Sequence, residues 1–374
     1  MKKKIYLDYN ANAPVFDVVK NELFRANELI GNSSAIHSAG VEVEKKISKS
    51  RLIIKDLLNC NDYKIIFTSC GTESNNLILN SFNAQVFVTN GSEHDSVLNS
   101  RDDFLFVDVE KSGLINLKDL KKKLQNIPSN QKFLVSVMLI NNETGVIQPI
   151  KEISHIVHSY GGYIHCDAIQ ALGKYKLDVG ELDVDFATIS GHKFGGPLGV
   201  SAVIYKKNLI LDKFLKGGSQ EEDIRAGTQN HVAIISFSKA IEYLESNQYS
   251  KLIKSKFGWQ NYFENSLLKL SSNIHIFGKD VDRVFNTTQF SIPDIPSENI
   301  IIPMDINNIF VSSSSACSSK QKKESHVIQS MGYDKKISLN TVRVSWGWKT
   351  KKKELDIFIN KLKDILIINN KLAA

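Results

Sequence analysis

Seven short apolar runs alternate with amphipathic stretches over the first 210 residues, and this alternation limits the possible folds more than any other feature. The runs have the length and β-branched content of buried strands, whereas stretches such as 41–58 and 150–159 repeat their apolar residues with helical spacing. This alternation predicts an α/β fold in which helices cover both faces of a mostly parallel sheet. The predicted strands are Ile65–Thr68, Val86–Thr89, Phe104–Val107, Phe133–Met138, Tyr163–Cys166, Asp185–Ile189 and Ala202–Tyr205.

The alternation gives way to long helices near residue 230, and a second α/β region follows. The elements predicted there are helices near 231–245 and 251–270, strands near 287–292, 309–312 and 341–345, and a closing helix. We therefore predict two domains. The large domain spans residues 15–250 and holds the seven-stranded sheet. Residues 1–14 together with 251–374 form a smaller α/β domain that carries the loop around Cys317 and the C-terminal helix.

The composition argues against several classes of protein. With 42% apolar and 23% charged residues, the chain has the balance of a soluble globular protein. No run reaches the roughly 18 apolar residues of a membrane span, and Asp8 interrupts the apolar stretch after the basic N-terminus, which argues against a secretory signal. The net charge of +7 comes partly from lysine clusters that indicate solvated surface rather than a nucleic-acid site. A role of these clusters as a patch that attracts an acidic protein partner is an open alternative.

The four cysteines show no paired spacing, so neither a zinc site nor a disulfide framework is predicted. Free thiols fit a reducing cytoplasm, where we expect the protein. Cys60, Cys70 and Cys166 have apolar settings next to strands or helices and are predicted to be packing residues. Cys317 differs, because serines and lysines surround it and predict an exposed loop in which the thiolate is favoured.

Lys193 lies at an unusual position for a solvating lysine. It follows the apolar run 185–190 and precedes glycines at 195, 196 and 199 and a proline at 197. These residues end regular structure and let the backbone approach a bound group closely. A lysine on an irregular loop, directly after a buried strand, is placed for chemistry.

Three further sites are predicted at the ends of strands. Gly71 and Thr72 open a helix whose N-terminus can bind an anion, although a plain Thr N-cap explains the same residues. Asp167 ends a buried strand, where a carboxylate needs a cation or a helix to cap. His94 follows another strand and, taken alone, is more typical of a surface or capping residue. Together with Lys193, these groups match what pyridoxal phosphate requires: an amine, an acid for the ring nitrogen, a dipole for the phosphate and a ring that stacks.

In order and spacing these groups resemble those of the cysteine desulfurases, which are class V, fold-type I pyridoxal-phosphate enzymes. The resemblance extends from Ile5-Tyr6-Leu7-Asp8-Tyr9 to Val342-Arg343-Val344-Ser345. It implies that Lys193 binds the cofactor covalently, that Asp167 pairs with the pyridinium nitrogen and that His94 stacks on the ring and moves protons. The remaining cofactor contacts that it implies are Gln170 and Asn142, and, for the phosphate, Gly71, Thr72, Ser190, His192 and Thr228, the last contributed by a second subunit.

The same resemblance implies a reaction and its partners. A homodimer would remove sulfur from L-cysteine, release L-alanine and hold the sulfur as a persulfide on Cys317. The segment from Cys317 to Gly332 has the length of the long-loop desulfurases, which pass sulfur to an acceptor for iron–sulfur assembly or for thiolation of tRNA or a cofactor. Arg343 and Asn32 match the residues that bind the substrate carboxylate. No resident metal is implied, and contact of Cys317 with a transient iron–sulfur cluster stays open.

Three positions depart from the family pattern, and they leave the turnover rate and the sulfur acceptor open. Ser33 replaces a proline, Cys70 stands where a small residue is usual, and Glu222 occupies a position where arginine or an apolar residue is common. Two other classes of function are considered. A selenocysteine lyase or an aminotransferase would share the fold, but an aminotransferase has no need of Cys317. A scaffold that only binds cofactor would not need the complete set of reactive residues.

Overall fold

A computed structural model describes residues 4–313 and 324–372 of the chain. The strands are β1 (Ile5–Tyr6), β2 (Tyr63–Thr68), β3 (Val86–Asn90), β4 (Phe104–Val107), β5 (Phe133–Met138), β6 (Tyr163–Asp167), β7 (Phe186–Ser190), β8 (Ser201–Lys206), β9 (His275–Ile276), β10 (Thr287–Ser291), β11 (Ile309–Phe310), β12 (Ser312–Ser313) and β13 (Thr341–Ser345). The helices are α1 (Asp17–Asn27), α2 (Ser38–Leu57), α3 (Gly71–Ser81), α4 (Asp95–Leu98), α5 (Leu117–Gln125), α6 (Ile150–Ser159), α7 (Val179–Leu182), α8 (His231–Leu244), α9 (Asn247–Lys254), α10 (Trp259–Leu270), α11 (Glu298–Ile306), α12 (His326–Ser330), α13 (Lys335–Leu339) and α14 (Lys352–Leu372).

A seven-stranded sheet with the order β2-β8-β7-β6-β5-β3-β4 forms the centre of the fold. Every neighbouring pair from β7 to β4 is parallel. Strand β8 is antiparallel to both β7 and β2, so β2 points the same way as the parallel set and β8 alone is reversed. The predicted α/β fold with a mostly parallel seven-stranded sheet is therefore confirmed.

Alternate side chains of the central strands pack on opposite faces of this sheet. In β7, Ala187 and Ile189 join one apolar cluster, whereas Phe186 joins the cluster on the other face. Because successive side chains of a strand point to opposite faces, both faces of the sheet are covered. The buried carboxyl edge of the sheet is then the place where loops can converge on a ligand.

The N-terminal segment lies against the second sheet, which has the order β12-β13-β10-β9. Strand β1 pairs in parallel with β11, and Asp8 forms a bridge with Ser345. Ile5 and Leu7 belong to an apolar cluster with residues of α10, β10, β13 and α14. The division of the chain into residues 15–250 and the remainder stays a prediction.

No helix of the described residues combines the length and the hydropathy that a bilayer-crossing segment requires.

Candidate active site

Lys193 lies at the carboxyl edge of the sheet, directly after β7. It ends the short 3-10 helix Gly191–Lys193, and its Nζ donates to the main-chain oxygens of Asn10 and Ala11, each at 2.9 Å. The loop that follows presses against the N-terminal segment, because a Cβ on Gly195 (φ 97°) would lie 2.6 Å from the ring of Phe16. Close packing on both sides fixes the position of the lysine.

Asp167 ends β6, the strand next to β7, and its carboxyl group is buried. Its Oδ2 accepts a hydrogen bond from Asn75 Nδ2 at 2.8 Å, and its Oδ1 accepts one from the backbone N–H of Ile169 at 3.0 Å. Burial raises the pKa of Asp167, while these two donors lower it. A cation next to the carboxyl group would favour the ionised form.

His94 is connected to Asp167 through two side chains. Its Nδ1 accepts a hydrogen bond from the backbone N–H of Ser96 at 3.0 Å, and Asn75 Nδ2 donates both to Ser96 Oγ at 2.9 Å and to Asp167. Burial lowers the pKa of His94, which favours the neutral ring. Because Nδ1 is an acceptor, the neutral ring carries its proton on Nε2.

The turn that opens α3 forms a small cradle. Its N-cap residue, Cys70, makes no side-chain capping bond, so backbone N–H groups of the first turn point outward with the positive end of the helix dipole. A Cβ on Gly71 would lie 2.3 Å from Ile169 Cδ1 and 3.9 Å from Ser190 Cβ. The turn thus lies between the ends of β6 and β7, where an anion can reach it.

Ser190 and His192 lie beside this cradle. Ser190 Oγ accepts from Ser201 Oγ at 2.7 Å and lies 3.1 Å from His192 Nδ1. Burial, together with the nearby charge of Lys193, lowers the pKa of His192 to about 4. The imidazole is therefore uncharged at neutral pH and would contact a phosphate as a hydrogen-bonding group.

Hydrogen bonds also connect the predicted substrate arginine with the cofactor residues. Gln170 Nε2 donates to the main-chain oxygen of Asn10 at 2.9 Å. Asn10 Nδ2 and Arg343 Nη1 both donate to the main-chain oxygen of Asn142, each at 3.0 Å. The structure thus brings Gln170, Asn142 and Arg343 together around Asn10, although Asn142 takes part through its backbone.

Arg343 lies on β13 and is 4% exposed. Its Nη2 forms an ion pair of 2.8 Å with Asp8 Oδ1. Its Nε is buried and has no hydrogen-bond partner within residues 4–313 and 324–372. A buried, unpaired guanidinium N–H requires an acceptor, and a substrate carboxylate would supply one.

Two predicted residues lie on exposed loops. Asn32 Oδ1 accepts from the backbone N–H of Ser34 at 2.9 Å, and Ser33 Oγ donates to Gln229 Oε1 at 2.7 Å. Thr228, next to Gln229, is also exposed. The hydrogen bonds of Asn32 do not include Arg343, so its predicted role stays untested. Cys317 lies outside the described residues.

The structure also places residues that the sequence reasoning missed or misjudged. Cys70 is exposed at the start of α3, so the prediction that it is a packing residue is wrong: as an N-cap it stands outside the helix body. Asn75 links His94 to Asp167, and buried Glu93 accepts from the backbone N–H of Met138 at 2.7 Å. Burial raises the pKa of Glu93 to about 8. Glu93 precedes the predicted His94, and Asn75 lies in the helix that Gly71 and Thr72 open. No local sequence pattern shows which way the side chains of Glu93 and Asn75 point.

This donor set fits pyridoxal phosphate. An amine, a buried carboxyl group and an uncapped helix N-terminus meet at one edge of the sheet, in the cradle that a Cβ on Gly71 would fill. The cofactor would supply a cation for Asp167 and an anion for the turn at Gly71 and Thr72. Within residues 4–313 and 324–372, no cluster of His, Cys, Asp or Glu side chains is arranged to bind a metal ion.

Comparisons with known proteins show the family of this chain. Residues 5–358 match the model of the family described as "Aminotransferase class-V". The "Cysteine desulfurase IscS" of Dictyoglomus turgidum is 34% identical over 383 residues, which cover 98% of this chain and 95% of that protein. The solved NifS-like protein from Rickettsia africae is 33% identical with a TM-score of 0.89, covering 97% of this chain and 99% of that one. A structure described as "SspA in complex with cysteine" is 25% identical with a TM-score of 0.77, covering 93% and 100%.

Proposed function

Since this chain belongs to the cysteine desulfurases of the class-V aminotransferase family, we propose that Lys193 and Cys317 carry out the two chemical tasks of that activity. Lys193 binds the cofactor and handles the proton at the substrate's α-carbon, and Cys317 receives the sulfur of L-cysteine. The observation that carries the proposal is the position of Lys193. It lies at the end of β7, beside Asp167 at the end of the neighbouring β6.

The residues around the carboxyl edge would hold pyridoxal phosphate. Gly71 and Thr72 would bind the phosphate with Ser190 and His192, Asp167 would pair with the ring nitrogen, and Gln170 would contact the phenolic oxygen. When bound, the cofactor supplies an electron sink for the bonds at the substrate's α-carbon. Burial raises the pKa of Asp167, and a positive charge on the ring nitrogen would favour the ionised form of this carboxyl group.

Proton movement falls to two side chains. As an uncharged amine, Lys193 Nζ takes the proton from the α-carbon of the substrate and returns one later. His94 holds its proton on Nε2, because Nδ1 accepts from the backbone N–H of Ser96. Since burial lowers the pKa of His94, the ring is a neutral donor at physiological pH.

Arg343 orients the substrate. A guanidinium group binds a carboxylate in a planar, two-point contact, and the unpaired Nε of Arg343 is available for one of the two bonds. Asp8 holds Nη2 at 2.8 Å, which fixes the plane of the guanidinium. Asn32 would add a contact to the same carboxylate.

Cys317 completes the reaction by attacking the sulfur of the substrate as a thiolate. A sulfur–sulfur bond forms, the bond between sulfur and the β-carbon breaks, and its electron pair stays with the carbon, which takes up a proton. The products are L-alanine and a persulfide on Cys317. Atoms and electrons balance without an external oxidant, and the persulfide sulfur is then available to an acceptor protein.

A dimer and an intracellular acceptor belong to the same proposal. Thr228 lies exposed on the loop that Arg225 ties to Glu73 with an ion pair of 2.6 Å. We infer that this face meets a second copy, whose phosphate Thr228 would contact; sedimentation equilibrium showing a fully active monomer would contradict this. A cytoplasmic location rests on the free thiols of Cys60, Cys70 and Cys166.

The test of the sulfur step is the substitution Cys317→Ser. We expect the variant to keep the visible absorption of bound cofactor and to change it when L-cysteine is added, because cofactor and substrate binding depend on Lys193, Asp167 and Arg343. Alanine and sulfide formation should fall at least about a thousandfold, since a serine hydroxyl is not ionised at neutral pH and is a poor nucleophile for sulfur. Mass spectrometry of the wild-type protein after brief exposure to cysteine should find one extra, reducible sulfur on the peptide with Cys317.

The matched control is Cys70→Ala, which removes an exposed thiol without adding a hydroxyl that could cap α3, and it should leave persulfide formation unchanged. Extra sulfur on Cys60, Cys70 or Cys166 would refute the choice of nucleophile. Wild-type turnover of cysteine by Cys317→Ser would refute the persulfide step itself and would favour a lyase.

A further inference from the structure

Two flanks, β12 and the residues before α12, join the part of the chain that holds Cys317 to the rest of the fold. On the N-terminal side, Ser312 Oγ donates to Asp8 Oδ2 at 2.6 Å, while Asp8 Oδ1 pairs with Arg343 Nη2 at 2.8 Å. Ser312 also lies directly opposite Arg343 in the pairing of β12 with β13. This flank is therefore joined to the proposed substrate arginine.

The flank on the C-terminal side is joined to the same arginine from the other direction. Ser325 Oγ donates to Glu143 Oε2 at 2.6 Å. The same carboxylate oxygen accepts from Gln289 Nε2 at 3.1 Å, and Gln289 lies directly opposite Arg343 in the pairing of β10 with β13. Ser325 and Glu143 are each only 2% exposed, so water has little access to the hydrogen bond between them.

Glu143 is itself held next to the substrate arginine. It follows Asn142, whose main-chain oxygen accepts from Arg343 Nη1 at 3.0 Å. Asn141 Oδ1 accepts from the backbone N–H groups of Glu143 and Thr144, at 3.0 and 2.9 Å. These bonds fix the turn that carries the carboxylate, so the acceptor of Ser325 keeps a constant position relative to Arg343.

Ser325 also has a local role. Its Oγ accepts from the backbone N–H of Ile328 at 3.1 Å, which makes Ser325 the N-cap of α12. A cap requires only an acceptor, and asparagine or aspartate would serve as well as serine. The hydrogen bond that Ser325 donates to Glu143 is therefore not explained by the cap.

The two flanks limit how far Cys317 can lie from the substrate site. Cys317 comes five residues after Ser312 and eight residues before Ser325. An extended chain spans at most about 3.6 Å per residue, so the Cα of Cys317 stays within about 18 Å of that of Ser312 and about 29 Å of that of Ser325. Holding two reacting groups near each other accelerates their reaction without changing the chemistry of either.

We propose that Glu143 is a positioning residue, which acts through Ser325 to keep Cys317 within reach of the substrate sulfur. The proposal rests on the functions proposed for Cys317 and Arg343. It extends them by naming the contact that aligns the nucleophile with the bound substrate. A purely structural role for this contact predicts weaker cysteine binding together with slower turnover, not a selective loss of sulfur transfer.

The experiment makes two measurements on the holoenzyme. One is the concentration of L-cysteine that half-saturates the change in cofactor absorption, and the other is the single-turnover rate of persulfide formation on Cys317. We expect Ser325→Gly and Glu143→Ala to leave the first within about twofold and to lower the second at least about tenfold, because only the approach of the thiolate is impaired. Glu143→Gln keeps a neutral acceptor oxygen for Ser325 and should keep at least about a third of the wild-type rate.

Ser246→Gly is the matched control. Ser246 is the N-cap of α9, and its Oγ accepts from the backbone N–H of Tyr249 at 3.1 Å and donates to the main-chain oxygen of Tyr243 at 2.6 Å. Both of these partners lie within three residues along the chain. Because glycine is tolerated at an N-cap, this variant should leave both measurements unchanged.

The outcomes separate this inference from the proposed function. A wild-type single-turnover rate in Ser325→Gly would overturn the inference, and so would an equal loss of rate in Ser246→Gly or in Glu143→Gln. A loss that weaker cysteine binding explains in full would also overturn it. If Glu143→Ala does not fold, Ser325→Gly decides alone. Absence of persulfide from Cys317 in the wild-type protein would instead refute the function proposed for that cysteine.

Discussion

Replacing Glu221 with alanine removes a buried carboxylate that three donors share. Its side chain is 1% exposed, and Oε1 accepts from Arg51 Nη2 at 2.7 Å and from Gln229 Nε2. Its Oε2 accepts from the backbone N–H of Phe67, in β2, at 2.8 Å. The carboxylate therefore ties the loop that carries Thr228 to the edge of the central sheet.

The magnitude follows from what the substitution leaves behind. Arg51, only 22% exposed, loses its counter-charge, and the N–H of Phe67 loses its acceptor. Removing one partner of a buried ion pair typically costs about 3–5 kcal/mol. We therefore expect Glu221→Ala to lower the free energy of unfolding by that amount.

Glu222→Ala is the matched control, because both positions have left-handed backbone, with φ of 47° at Glu221 and 57° at Glu222. Any preference of alanine for that conformation then cancels between the two variants. Glu222 pairs with Lys64 at 2.6 Å, but the two side chains are 44% and 37% exposed. An exposed pair contributes about 0.2–1 kcal/mol.

The assay is urea unfolding of both variants, followed by fluorescence and circular dichroism, with the slope m checked against the wild type. We expect Glu221→Ala to be less stable than Glu222→Ala by at least about 2 kcal/mol. A difference smaller than about 1 kcal/mol, at equal m, would show that the buried carboxylate does not stabilise this loop.

Two further predictions concern the cofactor cradle and the response to pH. Gly71→Ala should weaken pyridoxal-phosphate binding by about tenfold or more, measured by equilibrium dialysis. The reason is that the new Cβ would displace the Ile169 side chain, at an overpacking cost of about 1–3 kcal/mol. Adding Ile169→Ala should restore binding, and no recovery would contradict the steric reason. The hydrogen bond to Asp185 raises the pKa of His158 above 6.5, so the stabilisation from this pair is fully present below pH 6.5 and is lost as pH rises through the raised pKa. In urea unfolding, this loss should be at most about 1 kcal/mol, and it should be absent in His158→Gln. A pH profile that is the same in the variant and the wild type would refute this prediction.

The sequence predicted the strands closely but not the direction of one. The run 133–138 matches β5 in full, and the run 202–205 lies within β8. Strand β8 is antiparallel to its neighbours, and a signal for this was present. Only the glycine-rich loop 191–200 separates β7 from β8, whereas a parallel connection needs a crossover of a dozen or more residues.

The site was predictable where it depends on strand ends and not where it depends on distant side chains. Asp167 ends a strand, and Gly71 and Lys193 each lie three residues after one, so the topology of the sheet brings them together. Asn75 and Asp8 have no such local signal. The ion pair of Asp8 with Arg343 joins residues 335 positions apart, and no sequence period reports a contact at that separation.

The pairing of the N-terminal segment with β13 also bears on how the protein is made. Arg343 and Ser345 contact Asp8 and Asn10, yet they emerge from the ribosome more than 300 residues after them. Contacts between distant parts of a chain form slowly, because the intervening loop must be closed first. The Asn10 oxygen that supports Lys193 is therefore fixed only after β13 has been synthesised. The seven-stranded sheet can form on the nascent chain, but the reactive lysine gains its final surroundings last.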